Sequence, residues 1–203
     1  MTEGKVDVKF GEWIQQGWEL YKANIGVWIV ASLLAIVISV ATLGILSGPM
    51  MAGLAWIALA LVDRKEPKPQ MGDVFKGFDY FLQAFLFCLV WGAIMLVASF
   101  LLSMIVCVGS ILAVILSIAL ETALMFSLFL IVDKKMEFWP ASMLSLNVVK
   151  PNFFPFLGLL VVAMLIGHVG MIACGIGVIV TMPLTVCILA VAYRNVFGVQ
   201  AAA

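Results

Sequence analysis

One acidic residue, Glu121, lies deep inside an apolar stretch and is the strongest candidate for chemistry in the sequence. Residues 81–132 contain no other charged residue. A carboxylate in the middle of a bilayer is costly unless it is protonated or paired, so such residues usually face a bundle interior or a water-filled cavity. Glu121, with Ser117 and Thr122 beside it, is therefore a candidate intramembrane site for a proton or a cation.

A purely structural role for Glu121 is the preferred alternative. Its carboxyl group would then be neutral and hydrogen-bonded to Ser117, one helical turn earlier, or to a neighbouring helix. Ion-coupled transporters usually add broken helices and further polar anchors around such a site. The sequence around Glu121 does not indicate these additions, so we favour the structural interpretation.

The histidine, cysteine and methionine residues form no standard metal motif. His168 is the only histidine. A soft cluster suited to Cu(I) would combine it with Met104, Cys107, Met164, Met171 and Cys174. Their spacing fits no known motif, and Met commonly fills gaps in apolar packing. We predict no metal site and no cofactor, and we favour free thiols over a Cys107–Cys174 disulfide, although an oxidising compartment would allow one.

The composition requires lipid as the main solvent of the chain. Of 203 residues, 65% are hydrophobic and 11% are charged, whereas soluble domains are about 45–50% apolar and about 25% charged. Eleven basic residues balance eleven acidic ones, so net charge gives no argument for a nucleic-acid partner. The P-loop, nucleophile-elbow, zincin and dinucleotide-binding motifs are absent from the sequence, and we predict no catalytic residue.

Three long apolar stretches predict an all-α integral membrane protein with six transmembrane helices, paired as three αα hairpins. The stretches cover residues 25–62, 81–132 and 153–193. Each is long enough for two spans of about 20 residues. Glycine-containing turns are predicted near residues 42–44, 107–110 and 167–177, and Pro49 falls early in the second span, where a helix tolerates it.

A short amphipathic segment precedes each predicted hairpin. These segments cover residues 8–24, 73–81 and 139–150, with aromatic residues suited to the membrane surface. Together with a charged exit after each hairpin, they suggest one unit used three times, at residues 8–65, 73–135 and 139–195. Because each unit has two spans, a pseudo-threefold axis would run along the membrane normal. We expect a single membrane domain and no soluble domain.

All eleven Lys and Arg residues fall on one side of the membrane in this arrangement. The positive-inside rule makes that side, with both termini, cytoplasmic. Five of these cations are candidate contacts for anionic lipid headgroups: Arg64, Lys65, Lys68, Lys134 and Lys135. The alternative is that these charges only set the topology.

The last third of the chain carries a recognisable pattern of small residues and turns. The pattern comprises residues 125–133, Trp139-Pro140-Ala141-Ser142, residues 149–153, Cys174-Gly175-Ile176-Gly177, Met182-Pro183-Leu184 and Ala192-Tyr193-Arg194. It resembles a broad group of bacterial membrane proteins of unknown function, related to the membrane domain fused to some glycerophosphoryl diester phosphodiesterases. The resemblance implies a multi-span inner-membrane protein and carries over no catalytic residue.

These observations favour a non-catalytic scaffold, or a module that interacts with lipids or a partner. Its partners would be membrane lipids, a second copy of the chain or another membrane protein. The alternative is a small transporter or channel in which Glu121 lines the path. A membrane-embedded lipid-handling enzyme is the least favoured reading.

Overall fold

The computed structural model describes residues 8–105, 108–172 and 177–198, and every regular element in these ranges is helical. The α-helices are α1 (Phe10–Ala23), α2 (Ile25–Ala41), α3 (Ser47–Val62), α4 (Phe81–Ser103), α5 (Gly109–Leu124), α6 (Ser127–Lys134), α7 (Phe138–Val149), α8 (Phe153–Ile172) and α9 (Gly177–Phe197). Two 3₁₀ helices, Met71–Tyr80 and Lys150–Asn152, precede α4 and α8.

Several helical stretches are long and apolar enough to cross a membrane. In the described part of the chain there are four: Met71–Ser103, Gly109–Lys134, Phe138–Gly167 and Ile179–Phe197. A fifth candidate joins α1 to α2, which are bent by 89° at their junction. Helix α3 is apolar but has 16 residues, about 24 Å at 1.5 Å per residue, against a bilayer core about 30 Å thick. Six complete spans therefore remain a prediction.

The turn between α2 and α3 lies where the sequence predicts it. Leu43 and Gly44 have φ angles of 51° and 86°, and the left-handed region ends a helix most readily at glycine. The Gly44 N–H donates to the Ser39 carbonyl at 2.7 Å, which satisfies one of the last carbonyls of α2. Pro49 lies in the first turn of α3, where its missing N–H has no helical partner to lose.

The third predicted turn is partly wrong. Residues 167–170 continue helix α8, which ends only at Ile172, because a glycine inside an apolar helix lowers its stability without having to break it. The remainder of this predicted turn, including Cys174, lies outside the described residues, as does Cys107 in the second turn.

Each amphipathic segment packs mainly against helices that do not directly follow it, in a predicted hairpin other than the one it precedes. Helix α1 packs on α9, the 3₁₀ helix Met71–Tyr80 packs on α3, and α7 packs on α5 and α6. In α1 the buried residues are Trp13, Gly17 and Tyr21, whereas Trp18 is 44% exposed. The apolar faces of these segments are thus partly covered by protein rather than lying only on the membrane surface.

The core lies along α3, α6 and the second half of α9. Most residues of α3 are buried, and so are Phe129–Val132 of α6 and Ala190–Tyr193 of α9. In contrast, Ala84 is the only buried residue of α4, and large side chains such as Leu96 and Phe100 are exposed. An apolar helix exposed along its length suits a lipid environment rather than water.

Gly53 and Gly77 allow the 3₁₀ helix Met71–Tyr80 to approach α3 at backbone distance. A Cβ atom at Gly53 would lie 1.8 Å from the Val74 carbonyl oxygen, and one at Gly77 would lie 1.9 Å from that of Pro49. Small residues such as Gly53 permit helices to approach closely. Gly92, by contrast, has nothing within 4 Å of an added Cβ.

We expect Gly53→Ala to destabilise the protein, because the added methyl group would meet a backbone carbonyl that cannot move alone. Overpacking of this kind costs about 1–3 kcal/mol. The free energy of unfolding can be measured by titrating sodium dodecyl sulfate into mixed micelles. Gly92→Ala is the matched control and should unfold like the parent; equal behaviour of both variants would contradict the close approach.

Candidate functional site: an ion triad at the helix ends and a cleft beside Glu121

Arg194 joins two aspartates from distant parts of the chain. Its Nε and Nη2 atoms donate to the two oxygens of Asp63 at 2.8 and 2.6 Å. Nη1 and Nη2 donate to the two oxygens of Asp133, both at 2.7 Å. Both contacts are therefore bidentate, which is the strongest and most directional form of an Arg–carboxylate pair. We call these three residues the ion triad.

The ion triad is buried and its guanidinium group is fully used. The Arg194 side chain is 5% exposed and each aspartate side chain is 8% exposed. A guanidinium group has five N–H donors, and a fifth hydrogen bond, from Nη1 to the Gly198 carbonyl at 3.4 Å, accounts for the last one. No donor remains for a substrate, so the geometry assigns Arg194 to holding helices together.

The electrostatics of the helix ends explain why a cation is needed there. Asp63 caps the C-terminus of α3, Asp133 lies in the last turn of α6, and Arg194 lies in the last turn of α9. Helix C-termini carry partial negative charge, which disfavours carboxylates and favours cations. Two carboxylates at two such ends require a buried positive charge between them, and Arg194 supplies it.

An aromatic layer packs beside the ion triad. The Tyr193 hydroxyl donates to Asp133 at 2.8 Å. The Tyr193 ring stacks on Phe197 at 4.9 Å and on Phe129 at 5.6 Å between ring centroids. These rings exclude water from one side of the triad, and charged hydrogen bonds are stronger in surroundings of low dielectric.

Sequence reasoning recognised the three charged exits but not the bonds between them. The available signal was the matched position of an aspartate in the first two exits, at 63 and 133, and of an arginine in the third, at 194. One arginine against two acids at corresponding places is the pattern of a shared ion pair. Without the structure, the charged exits indicate only topology and headgroup contact.

The predicted headgroup contacts flank the ion triad. Arg64, Lys65 and Lys68 are exposed after α3, while Lys134 is half-buried and Lys135 is exposed at the end of α6. Because Asp63 and Asp133 are held by one arginine, the two cationic segments lie at the same end of the helix bundle. Glu66 lies between Lys65 and Lys68, and Glu137 follows Lys135, so this surface carries charges of both signs.

Two lysines at this end of the bundle lie over the indole ring of Trp56. The Lys76 ammonium lies 3.8 Å from the centroid of the Trp56 ring, and that of Lys65 lies 5.9 Å away. Lys76 also pairs with Asp73 at 3.0 Å. Cations over an indole face are typical of the boundary between membrane and water, where Trp is enriched.

Glu121 lies in a half-open cleft of about 500 Å³ between α3, α4, α5, α6 and α9. We call it the Glu121 cleft. Among the described residues that line it, Glu121 is the only charged one, and the rest of the wall is largely apolar. Its larger side chains include Met51, Phe87, Trp91, Met95, Met125 and Phe129. Glu121 is exposed, so its carboxyl group is not sealed inside the bundle.

The predicted polar neighbours of Glu121 have separate roles. Ser117 also lines the cleft, but its hydroxyl donates to the Val114 carbonyl at 2.8 Å rather than to Glu121. Thr122 is fully buried and donates to the Ile118 carbonyl at 2.7 Å. Both side chains therefore hydrogen-bond to the backbone of their own helix. The Ser117 hydroxyl proton is used there, so it does not supply the hydrogen bond to Glu121 that the structural interpretation predicts.

A break in the helix follows Glu121 by one turn. Helix α5 ends at Leu124 and α6 begins at Ser127. The buried Ser145 hydroxyl of α7 donates to the Ala123 carbonyl at 2.8 Å and accepts from the Phe126 N–H at 3.3 Å. A side chain inserted into the helical ladder is a recognised cause of such a break, and it satisfies backbone groups that lipid could not. The residue pattern of this stretch alone does not predict the break.

The residues of the possible Cu(I) cluster fall partly outside the described residues. Cys107 and Cys174 lie outside the described residues, and so do the side chains of His168 and Met171. In the part of the chain that the structure describes, no group of three or more His, Cys, Asp or Glu residues is arranged to hold a metal ion.

Comparisons with protein-family models, with curated proteins and with solved structures find no match to this chain. The proposed relation to the membrane domain of the phosphodiesterase family therefore stays a prediction from the sequence.

We expect Arg194→Gln to lower the free energy of unfolding by about 3 kcal/mol or more, because it leaves two carboxylates buried without their cation. Arg194→Lys should restore only part of this stability, since an ammonium group cannot bind both carboxylates in bidentate fashion. Titration with sodium dodecyl sulfate in mixed micelles gives these values. The exposed Arg64→Gln change is the control, and an Arg194→Gln variant as stable as Arg64→Gln would refute the structural role of the triad.

Proposed function

We propose that the chain is a multi-pass protein of the bacterial inner membrane that interacts with membrane lipids and a membrane partner without catalysing a reaction. The observation that carries this proposal is the ion triad. Its guanidinium donors are all committed to protein groups, and it gathers two cationic segments at one end of the bundle. That arrangement favours a platform for anionic headgroups over a site that binds and converts a substrate.

The proposed architecture is six spans in three hairpins, with both termini in the cytoplasm. The ion triad supports it, since Asp63, Asp133 and Arg194 end the second helices of three successive hairpins and meet at one place. The packing of α1 on α9, of Met71–Tyr80 on α3, and of α7 on α6 has the cyclic order that a pseudo-threefold repeat requires. In this proposal α3 crosses where the bilayer is locally thinned, at a modest cost per ångström of mismatch.

A topology experiment tests the orientation. In a chain whose native cysteines are replaced by alanine, Ile45→Cys and Met104→Cys should react with a membrane-impermeant maleimide in intact spheroplasts. Lys68→Cys and Lys135→Cys should react only after lysis, because the positive-inside rule keeps them in the cytoplasm. Labelling of Ile45→Cys and Lys68→Cys from the same side would show that α3 does not cross.

A lipid-retention experiment tests the function. Replacing Arg64, Lys65, Lys68, Lys134 and Lys135 by Gln should lower the ratio of phosphatidylglycerol to phosphatidylcholine that stays bound through gentle purification, as measured by native mass spectrometry. Each cation near the surface contributes about 1 kcal/mol toward anionic lipid.

The matched control for lipid retention replaces Lys9, Lys22 and Lys150, which lie away from the ion triad in sequence. The control should keep the lipid ratio of the parent. An equal loss per replaced cation in both variants would mean that the cations act only through total charge. An unchanged ratio in the five-residue variant would mean that these cations only set the topology.

Transport through a path lined by Glu121 is the second candidate function. The broken helix after Leu124, with Ser145 inserted into it, is the observation that favours this candidate. Discontinuous helices beside an intramembrane acid are typical of transporter binding sites. The exposed position of Glu121 in a half-open cleft is compatible with access for a ligand from the side of the bundle.

A further inference from the structure

We propose that the Glu121 cleft binds a lipophilic organic cation, that is, a single positive charge carried on an aromatic or branched apolar body. The site is distinct from the headgroup surface beside the ion triad. This binding rests on the part of the proposed function that places α4 and α5 in the membrane. It is independent of the cytoplasmic orientation of the termini and of the preference for anionic lipid.

The size and walls of the cleft suit a small amphiphilic molecule. Its volume of about 500 Å³ falls within the range of about 300–1,000 Å³ found for small-molecule sites, which are mostly apolar with a few polar groups. Met51, Met95 and Met125 line it, and flexible thioether side chains adapt to ligands of varied shape. Gly92 leaves open space on the α4 side, since an added Cβ would have no neighbour within 4 Å.

The charge of the cleft selects a cation. Glu121 is the only charged residue among its lining residues, and a cation within an apolar wall strongly favours the ionised carboxylate. An uncharged acyl chain would gain nothing from this carboxylate. The attraction between the two charges would be strong here because the surroundings have a low dielectric constant.

The aromatic lining further favours an organic cation over a metal ion. Phe87, Trp91 and Phe129 line the cleft, and aromatic faces attract cations that are already poorly hydrated. The Trp91 indole N–H donates to the Ser142 hydroxyl at 3.0 Å, and the ring stacks on Trp139 with centroids 6.0 Å apart. Trp91 is therefore held in place with its polar edge already occupied.

The described lining of the cleft offers too few oxygen ligands for an inorganic cation. Ca²⁺ takes six to eight oxygen ligands and Mg²⁺ takes six, with waters kept from its hydration shell. The side-chain oxygens in the described lining come from Glu121 and from Ser117, and the Ser117 hydroxyl already donates to Val114. The chemistry of the cleft thus matches a bulky, weakly hydrated monocation.

Equilibrium dialysis with radiolabelled tetraphenylphosphonium tests this proposal. The chain is purified in uncharged detergent micelles, and uptake by empty micelles is subtracted. We expect saturable binding at one site, at least tenfold weaker binding for Glu121→Gln, and at least tenfold weaker binding for Gly92→Leu, whose side chain would fill the cleft. Tetraphenylborate, an anion of the same shape, should bind at least tenfold more weakly than the cation.

Two matched variants serve as controls, and both should bind within twofold of the parent. Glu137→Gln removes an exposed carboxylate outside the cleft, and Gly26→Leu adds the same side chain at another glycine with open space around it. If Glu121→Gln does not fold, as judged by circular dichroism and size-exclusion chromatography, Gly92→Leu decides the question. The proposal is overturned by an absence of saturable binding, by equal binding of the anion, or by full affinity in Gly92→Leu or in a folded Glu121→Gln variant.

Because the readout is binding in micelles, failure here leaves the headgroup platform intact. Conversely, loss of the anionic-lipid preference would not change binding of tetraphenylphosphonium. The two proposals therefore succeed or fail independently.

Discussion

The buried bond between Arg194 and the two carboxylates of Asp63 and Asp133 constrains where three helices end. Moving any of these charges out of water is costly, and the cost is offset only when geometry is good and every donor has an acceptor. The five donors of Arg194 meet that condition. Once α3, α6 and α9 end at one place, their apolar faces are brought together and form the core. The amphipathic segments α1, Met71–Tyr80 and α7 then pack on α9, α3 and α6, respectively.

The same constraint separates two kinds of surface in one small protein. At the end that holds the ion triad, charges of both signs surround an aromatic layer and a Trp56 ring covered by lysines. Away from that end, α4 presents apolar side chains along its length, as expected for contact with lipid. The Glu121 cleft lies beside α4, so Glu121 opens toward the exposed apolar side of the bundle rather than into the ion triad.

The sequence predicts elements well where a single physical signal decides them. Apolar runs predict helices, and the positive φ angles at Leu43 and Gly44 follow from a turn that the sequence places at residues 42–44. Prediction from the sequence fails where two segments distant in the chain must contact each other. The triad depends on Asp63, Asp133 and Arg194 across more than a hundred residues, and the break after Leu124 depends on Ser145 of another helix. Residues 167–170 show the converse error, since glycine alone does not end an apolar helix that its neighbours support.

A double-mutant cycle tests most directly whether the ion triad couples the helix ends. The free energy of unfolding in mixed micelles is measured for Asp63→Asn, Arg194→Gln and the double variant. We predict that the double variant loses less than the sum of the two single losses by at least about 1 kcal/mol, because residues of one salt-bridge network are not independent. Losses that add within about 0.3 kcal/mol would contradict the claim that this bond sets the arrangement of the helices.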